Sequence, residues 1–147
     1  MAAIRTAEVS WNGSLIEGTG TIDGVTSGAL ARLPVTWASR TEAADGRTSP
    51  EELLAAAHAS CFAMAFSGSL ARNGTPPASL AVRATVTFDR LEAGWRVVSS
   101  ALAVRGTVPG LDAAAFARLA DAAKDGCPIS QALKGNVALS VEATLDG

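Results

Sequence analysis

Apolar positions change their period several times along the chain, and each change marks an element. Ile4–Trp11 alternates partially between apolar and polar residues, as a strand does. Asn12-Gly13 follows as a hairpin signal ahead of a second strand within Leu15–Ile22. Gly18, Gly20, Gly24 and Gly28 predict loop-like or bulged backbone through the next stretch. Pro34–Ala38 predicts a short strand. The polar run Ser39–Ser49 predicts a surface loop, the kind of segment on which functional side chains concentrate.

At Ser49 the pattern turns helical. Ser49 with Glu52 three residues on makes a capping box, and Pro50 stands at the first helical position, where a missing N–H is harmless. The helix is predicted to reach about Arg72, where Gly74 and Pro76-Pro77 end it. Leu53, Leu54, Phe62, Met64 and Phe66 interleave with alanines, so the helix is apolar nearly all round and needs cover on every side. The small alanines admit another backbone closely, which predicts a partner subunit. The apolar stretch Leu53–Phe66, broken by His58 and Ser60, falls short of the roughly 20 residues of a membrane span and predicts a buried core helix.

Leu80–Arg90 then alternates with Val82, Ala84, Val86 and Phe88 on one face, and a turn at Glu92-Ala93 leads into a strand over Gly94–Val108. Asp112 caps an amphipathic helix whose stripe is Phe116, Leu119, Ala120 and Ala123, with Leu111 and Phe116 placed as a hydrophobic staple and Gly126 as the stop. Pro128 restarts a short helix to about Lys134, and Val137–Thr144 closes as a strand. Strands before, between and after two helices predict an α+β fold rather than a parallel βαβ fold.

Composition narrows the function. A chain of 147 residues fits one domain. Twelve basic residues against 14 acidic give a net charge of −2 with no basic run, which excludes a nucleic-acid binder or an anionic membrane surface as partner. Charged residues are only 18% and mean hydropathy is +0.26, which excludes disorder and leaves apolar surface for a partner to cover. The opening residues lack the apolar centre of a signal peptide, so a cytoplasmic protein is expected.

Two cysteines carry the candidate chemistry. With no export signal, Cys61 and Cys127 read as core thiols or as a redox pair. Cys61 lies mid-helix, where burial raises a thiol pKa; a reactive thiolate there needs a cation, for which His58 and Arg40 are the nearest in sequence. Cys127 stands at the start of a short helix, whose unpaired N–H groups favour a thiolate. Glu51 is either a dipole-compensating acid or a carboxylate that orients an arginine. Ten residues of helix, about 15 Å, separate it from Cys61, and an antiparallel partner helix is one route by which it could serve that thiol. His58, the only histidine, reads as a core residue; with Cys61 and Cys127 it lacks the carboxylate support of a metal site. Trp11, Trp37 and Trp95 read as packing residues. No phosphate-binding or nucleophile-elbow motif is present, and neither a metal nor another cofactor is expected.

The run Thr48-Ser49-Pro50-Glu51-Glu52-Leu53-Leu54-Ala55-Ala56-Ala57-His58-Ala59-Ser60-Cys61-Phe62 resembles the cysteine helix of the osmotically inducible protein C (OsmC) and organic hydroperoxide resistance (Ohr) family. Gly126-Cys127-Pro128-Ile129-Ser130-Gln131-Ala132-Leu133 is similar to its second-cysteine motif, and Trp11-Asn12-Gly13 with Gly18-x-Gly20 and Ser27-Gly28 is similar to the OsmC branch. The resemblance implies a single OsmC-like α+β domain over residues 1–147, with antiparallel sheets around a long buried central helix, in an intertwined homodimer with interface sites. It implies a thiol peroxidase that reduces organic hydroperoxides, and hydrogen peroxide less well, in stress defence. Cys61 would be the peroxidatic thiol and Cys127 the resolving one. Arg40 would be the arginine near the thiolate, with Arg47 close by in the same loop, and Glu51 the carboxylate that holds it. A lipoyl-type dithiol would be the reductant. Leu54, Phe62 and Phe66 would favour an alkyl peroxide. Two other readings stay open: a non-enzymatic thiol sensor, and a protein that binds an apolar ligand while both thiols are inert.

Overall fold

A computed structural model describes all 147 residues, which divide into two compact units, Met1–Leu53 and Leu54–Gly147. The first unit is an antiparallel meander of β1 (Ala7–Asn12), β2 (Thr19–Val25) and β3 (Ala31–Val35), in that order. The glycine-rich stretch contributes a strand as well as loops, because β2 needs a residue without a Cβ. A Cβ on Gly20 would lie 2.6 Å from the Trp11 ring and 2.8 Å from the Val35 side chain. The predicted strand Pro34–Ala38 stops instead at Val35, and α1 (Trp37–Thr41) follows. The cause is local. Thr36 Oγ1 accepts from Ser39 N and Ser39 Oγ accepts from Thr36 N, each at 3.0 Å, a capping box that starts a helix where the pattern suggested a strand.

α2 (Pro50–Arg72) begins where the sequence places it, with Glu52 N donating to Ser49 Oγ at 3.1 Å. The Glu52 carboxylate accepts from Thr48 Oγ1 at 3.5 Å, outside the predicted box. The second unit continues through β4 (Ser79–Leu91), β5 (Gly94–Thr107), α3 (Ala113–Gly126), α4 (Pro128–Leu133) and β6 (Ala138–Leu145). β4 and β5 form a hairpin closed at Leu91 and Gly94, and Asp112 caps α3 by accepting from Ala115 N at 2.8 Å. The sheet order is β4-β5-β6. The expected antiparallel pattern breaks at β6, which pairs parallel to β5 from Ser99 opposite Ala138 to Gly106 opposite Leu145. Two helices between these strands return the chain to the start of β5, so β6 enters in the same direction. The fold is α+β with one parallel crossover.

His58, Phe62, Phe66 and Leu70 recur every fourth residue on α2 and are fully buried. The three apolar members share one core with Leu102 and Val104 of β5 and Phe116, Ala120 and Ala123 of α3. The Phe66 ring centroid lies 5.5 Å from that of Phe62 and 5.0 Å from that of Phe116. The opposite face of α2, with Ala56, Ser60 and Met64, is exposed, so one chain covers one side of this helix and not all of it. By length and composition α2 is apolar enough to cross a membrane, but its buried stripe belongs to the protein core.

Truncation of Phe66 to alanine removes the ring that joins α2 to α3. We expect Phe66→Ala to lower unfolding free energy by about 3–5 kcal/mol in urea titrations.

Candidate active site

The charged half of the predicted site lies in the first unit. Arg40, in the last turn of α1, meets Glu51, in the first turn of α2. Its Nη2 donates to Glu51 Oε1 at 2.8 Å, and its Nε donates to both carboxylate oxygens at 3.1 Å. Glu51 is buried and the guanidinium half-buried, and the Arg40 head stands 5.9 Å from the Trp37 ring centroid, within cation–π range. Arg47 is paired elsewhere, with exposed Asp45 at 3.3 Å. Of the two neighbouring arginines, Arg40 therefore holds the predicted carboxylate. α1, which the sequence pattern did not predict, sets the approach.

The thiol half lies in the second unit. Cys127 is fully buried at the junction of α3 and α4, where its amide donates to Ala123 O at 2.9 Å. Cys61 is half-buried on α2, and both thiols are free. The two thiols are near enough to shift each other's ionisation. Burial pushes the Cys61 thiol up, and the neighbouring Cys127 pushes it further, against the Ile129 backbone. Burial also opposes ionisation of Cys127, but its polar neighbours, Cys61 first and then Ser130 and Ile129 at the start of α4, outweigh it, so its pKa falls. The two shifts therefore run in opposite directions, up for Cys61 and down for Cys127.

His58 stands one helical turn before Cys61, fully buried, with Nδ1 2.6 Å from Ser100 Oγ and Nε2 2.8 Å from Ser130 Oγ. Burial lowers its pKa below the ordinary value of 6.5. Both ring nitrogens are engaged, which makes His58 a satisfied core residue rather than an open ligand. The two serines escaped the sequence reading, although a signal existed. The inward positions of β5 run Ser100, Leu102, Val104, and the hydroxyl breaks the apolar series. Of the predicted substrate contacts, Phe62 and Phe66 are core side chains with no exposed surface in this chain, and Leu54 is half-buried.

The OsmC-like protein family model matches residues 43–142, which include both cysteines, Glu51 and His58. The chain belongs to the OsmC-like family. The peroxiredoxin OsmC of Escherichia coli K12 is 38% identical over 142 residues, 97% of this chain and 98% of that protein. An organic hydroperoxide resistance protein of Xanthomonas axonopodis pv. citri is 33% identical over 91 residues, 61% of this chain and 62% of that one. The crystal structure of the Bacillus subtilis organic hydroperoxide resistance protein OhrB superposes with a TM-score of 0.70 at 25% identity, covering 95% of this chain and 98% of that one. An OsmC crystal structure from Legionella pneumophila superposes with a TM-score of 0.71 at 24% identity, covering 97% and 99% of the two chains. The α+β architecture of this OsmC-like chain is that of these neighbours.

Removing the Arg40 side chain strands a buried carboxylate. Arg40→Ala is expected to cost about 1–3 kcal/mol in urea unfolding, whereas Arg47→Ala, which breaks an exposed pair, stays within about 0.5 kcal/mol of wild type. The depressed His58 pKa sets a pH dependence. As pH falls below about 6.5 the unfolded chain takes up a proton that the folded chain resists, so stability declines from there until the folded pKa is passed. His58→Gln lacks this component, and its stability difference from wild type should narrow between about pH 7 and about pH 5.

Proposed function

We propose that this chain is a thiol peroxidase that reduces organic hydroperoxides to alcohols, and hydrogen peroxide less well. The observation that carries this reading is the neighbouring pair of free thiols, Cys61 and Cys127, in a chain of the OsmC-like family. The Cys61 thiolate attacks the O–O bond, an alkoxide leaves and is protonated to the alcohol, and Cys61 becomes a sulfenic acid. Its own surroundings, burial above all, raise the Cys61 pKa, so the reaction needs a cation. Arg40, fixed by Glu51, supplies it, and an arginine keeps its charge in a half-buried site. The same guanidinium stabilises charge developing on the peroxide oxygens. Cys127 then closes a disulfide with Cys61, and a lipoyl-type dithiol reopens it by exchange.

The active form in this reading is a homodimer with its sites at the interface. The open face of α2, with Met64 71% exposed, and β1, exposed at every position with Val9 and Trp11 on it, are apolar surfaces that a second copy would cover. Free thiols suit a reducing compartment, in keeping with a cytoplasmic protein. Leu54 is the apolar residue that remains available to an alkyl chain.

Peptide mass mapping of reduced protein after one equivalent of cumene hydroperoxide should find both thiols consumed and a Cys61–Cys127 linkage. Cys61→Ser should abolish turnover, and cumene hydroperoxide should be consumed faster than hydrogen peroxide. Two intact thiols would overturn the proposal, and a single oxidation without dithiol-driven turnover would make the protein a sensor.

A further inference from the structure

Ser39 is the one buried side chain of α1, and no step of the proposed reaction uses it. Its hydroxyl oxygen accepts from Thr36 N at 3.0 Å. Its single proton faces two carbonyls, Thr36 O at 2.9 Å and Thr48 O at 3.1 Å. The contacts with Thr36 belong to the capping box of α1, but the one with Thr48 leaves the helix. Thr48 stands directly before Ser49, where α2 begins, and its amide donates to Pro34 O at 3.2 Å, which sets it beside Val35 as a parallel bridge. One hydroxyl thus joins the exit of β3, the body of α1 and the entry of α2.

Arg40 follows Ser39 by one residue, and Glu51 follows Thr48 by three. The bonds between Arg40 and Glu51 fix the two charged groups to each other. Both side chains are long and rotatable, so those bonds give the guanidinium one position only if the backbones at both ends are held. α1 cannot hold itself, since its five residues fall far below the roughly 12–15 that an isolated helix needs. The intervening loop does not hold it either. It reverses through Asp45 and Gly46, at φ 48° and 75°, in a turn that closes on itself as Arg47 N donates to Ala44 O at 2.9 Å. The Ser39 hydroxyl supplies the tie from α1 to the start of α2.

We propose that Ser39 is a positioning residue that aims Arg40: by tying α1 to Thr48 it holds the backbones of Arg40 and Glu51 in register and presents the guanidinium in one geometry. The inference rests on the peroxidase reading, in which Arg40 is the cation that the Cys61 thiol requires. Nε and Nη2 both face Glu51, so any rotation of α1 carries the whole guanidinium plane with it. Without the hydroxyl, Arg40 still pairs with Glu51, but the pair swings with a loosened α1 and the charge stands where the thiolate needs it for only part of the time.

The test is a double-mutant cycle on the rate at which iodoacetamide alkylates Cys61 in the reduced protein at neutral pH, mapped by peptide mass. Alkylation follows the thiolate, so it reads the cation whether or not peroxide is turned over. Arg40→Ala is expected to slow it about tenfold or more, as loss of an adjacent opposite charge moves a pKa by about one unit or more. Ser39→Ala should slow it about threefold to tenfold, part of that same loss, and should add nothing in the Arg40→Ala background. Ser39→Thr, which keeps the hydroxyl, should recover most of the lost rate. A hydroxyl that served the fold alone would change the rate by the same factor in both backgrounds, and that result overturns the inference. So does Ser39→Ala at the wild-type rate, or Ser39→Thr no faster than Ser39→Ala. Should Ser39→Ala fail to fold, Thr36→Val, which removes the return bond from Ser39 N at 3.0 Å and keeps the side-chain shape, takes its place in the cycle with the same expected pattern. Arg40→Ala at the wild-type rate overturns the role of Arg40 in the peroxidase reading and this inference together, whereas a slowed Arg40→Ala beside an unaffected Ser39→Ala overturns the inference only.

Discussion

An imidazole with no access to water must receive both of its hydrogen-bond partners from the protein. In this chain that demand ties together three elements distant in sequence. His58 on α2 reaches Ser100 on β5 through one nitrogen and Ser130 on α4 through the other. Cys61 follows His58 by three residues and Cys127 precedes Ser130 by three. A bond between His58 and Ser130 is thus one rung of a ladder whose next rung is the thiol pair. The polar contact in the core and the meeting of the two sulfurs are one geometric event.

The thiols and the charge that would activate them are built separately. The second unit supplies two thiols and raises the pKa of Cys61 by burial. The first supplies a guanidinium locked to Glu51 by three short hydrogen bonds. On the peroxidase reading neither suffices alone: a thiol raised by burial is a poor nucleophile, and a guanidinium can only stabilise an anion that another group provides. Glu51 is buried and takes all three of these bonds from Arg40, whereas the loop's other arginine, Arg47, pairs with exposed Asp45.

Most of the elements were legible because their signals are local. Ser49 and Pro50 start α2, Asp112 starts α3, and the turn at Glu92-Ala93 joins β4 to β5 as the pattern requires. The failures have two kinds of cause. Thr36 and Ser39 form a capping box that the alternation of Pro34–Ala38 concealed, so the helix that aims Arg40 was missed. The direction of β6 depends on where α3 and α4 deliver it, and strand composition carries no record of that. The cysteines and Glu51 could be singled out from their motifs, whereas Ser100 and Ser130 acquire a role only once His58 lies between them. Phe62 and Phe66 show a related ambiguity, since apolar residues beside a cysteine suit a substrate pocket and a core equally well, and within one chain both are core side chains.

Because β6 joins the sheet from the far end of the chain, the thiol pair is also completed late on the ribosome. Cys61 is synthesised 66 residues before Cys127. At about 5–20 residues per second that interval is roughly 3–13 s, and the strand that closes the sheet beside β5 follows later still. During this time Cys61 has no second thiol to capture a sulfenic acid, and no Ser130 exists to meet His58. On the peroxidase reading, a Cys61 sulfenic acid formed in that interval would stand open to the further oxidation that Cys127 intercepts in the finished protein.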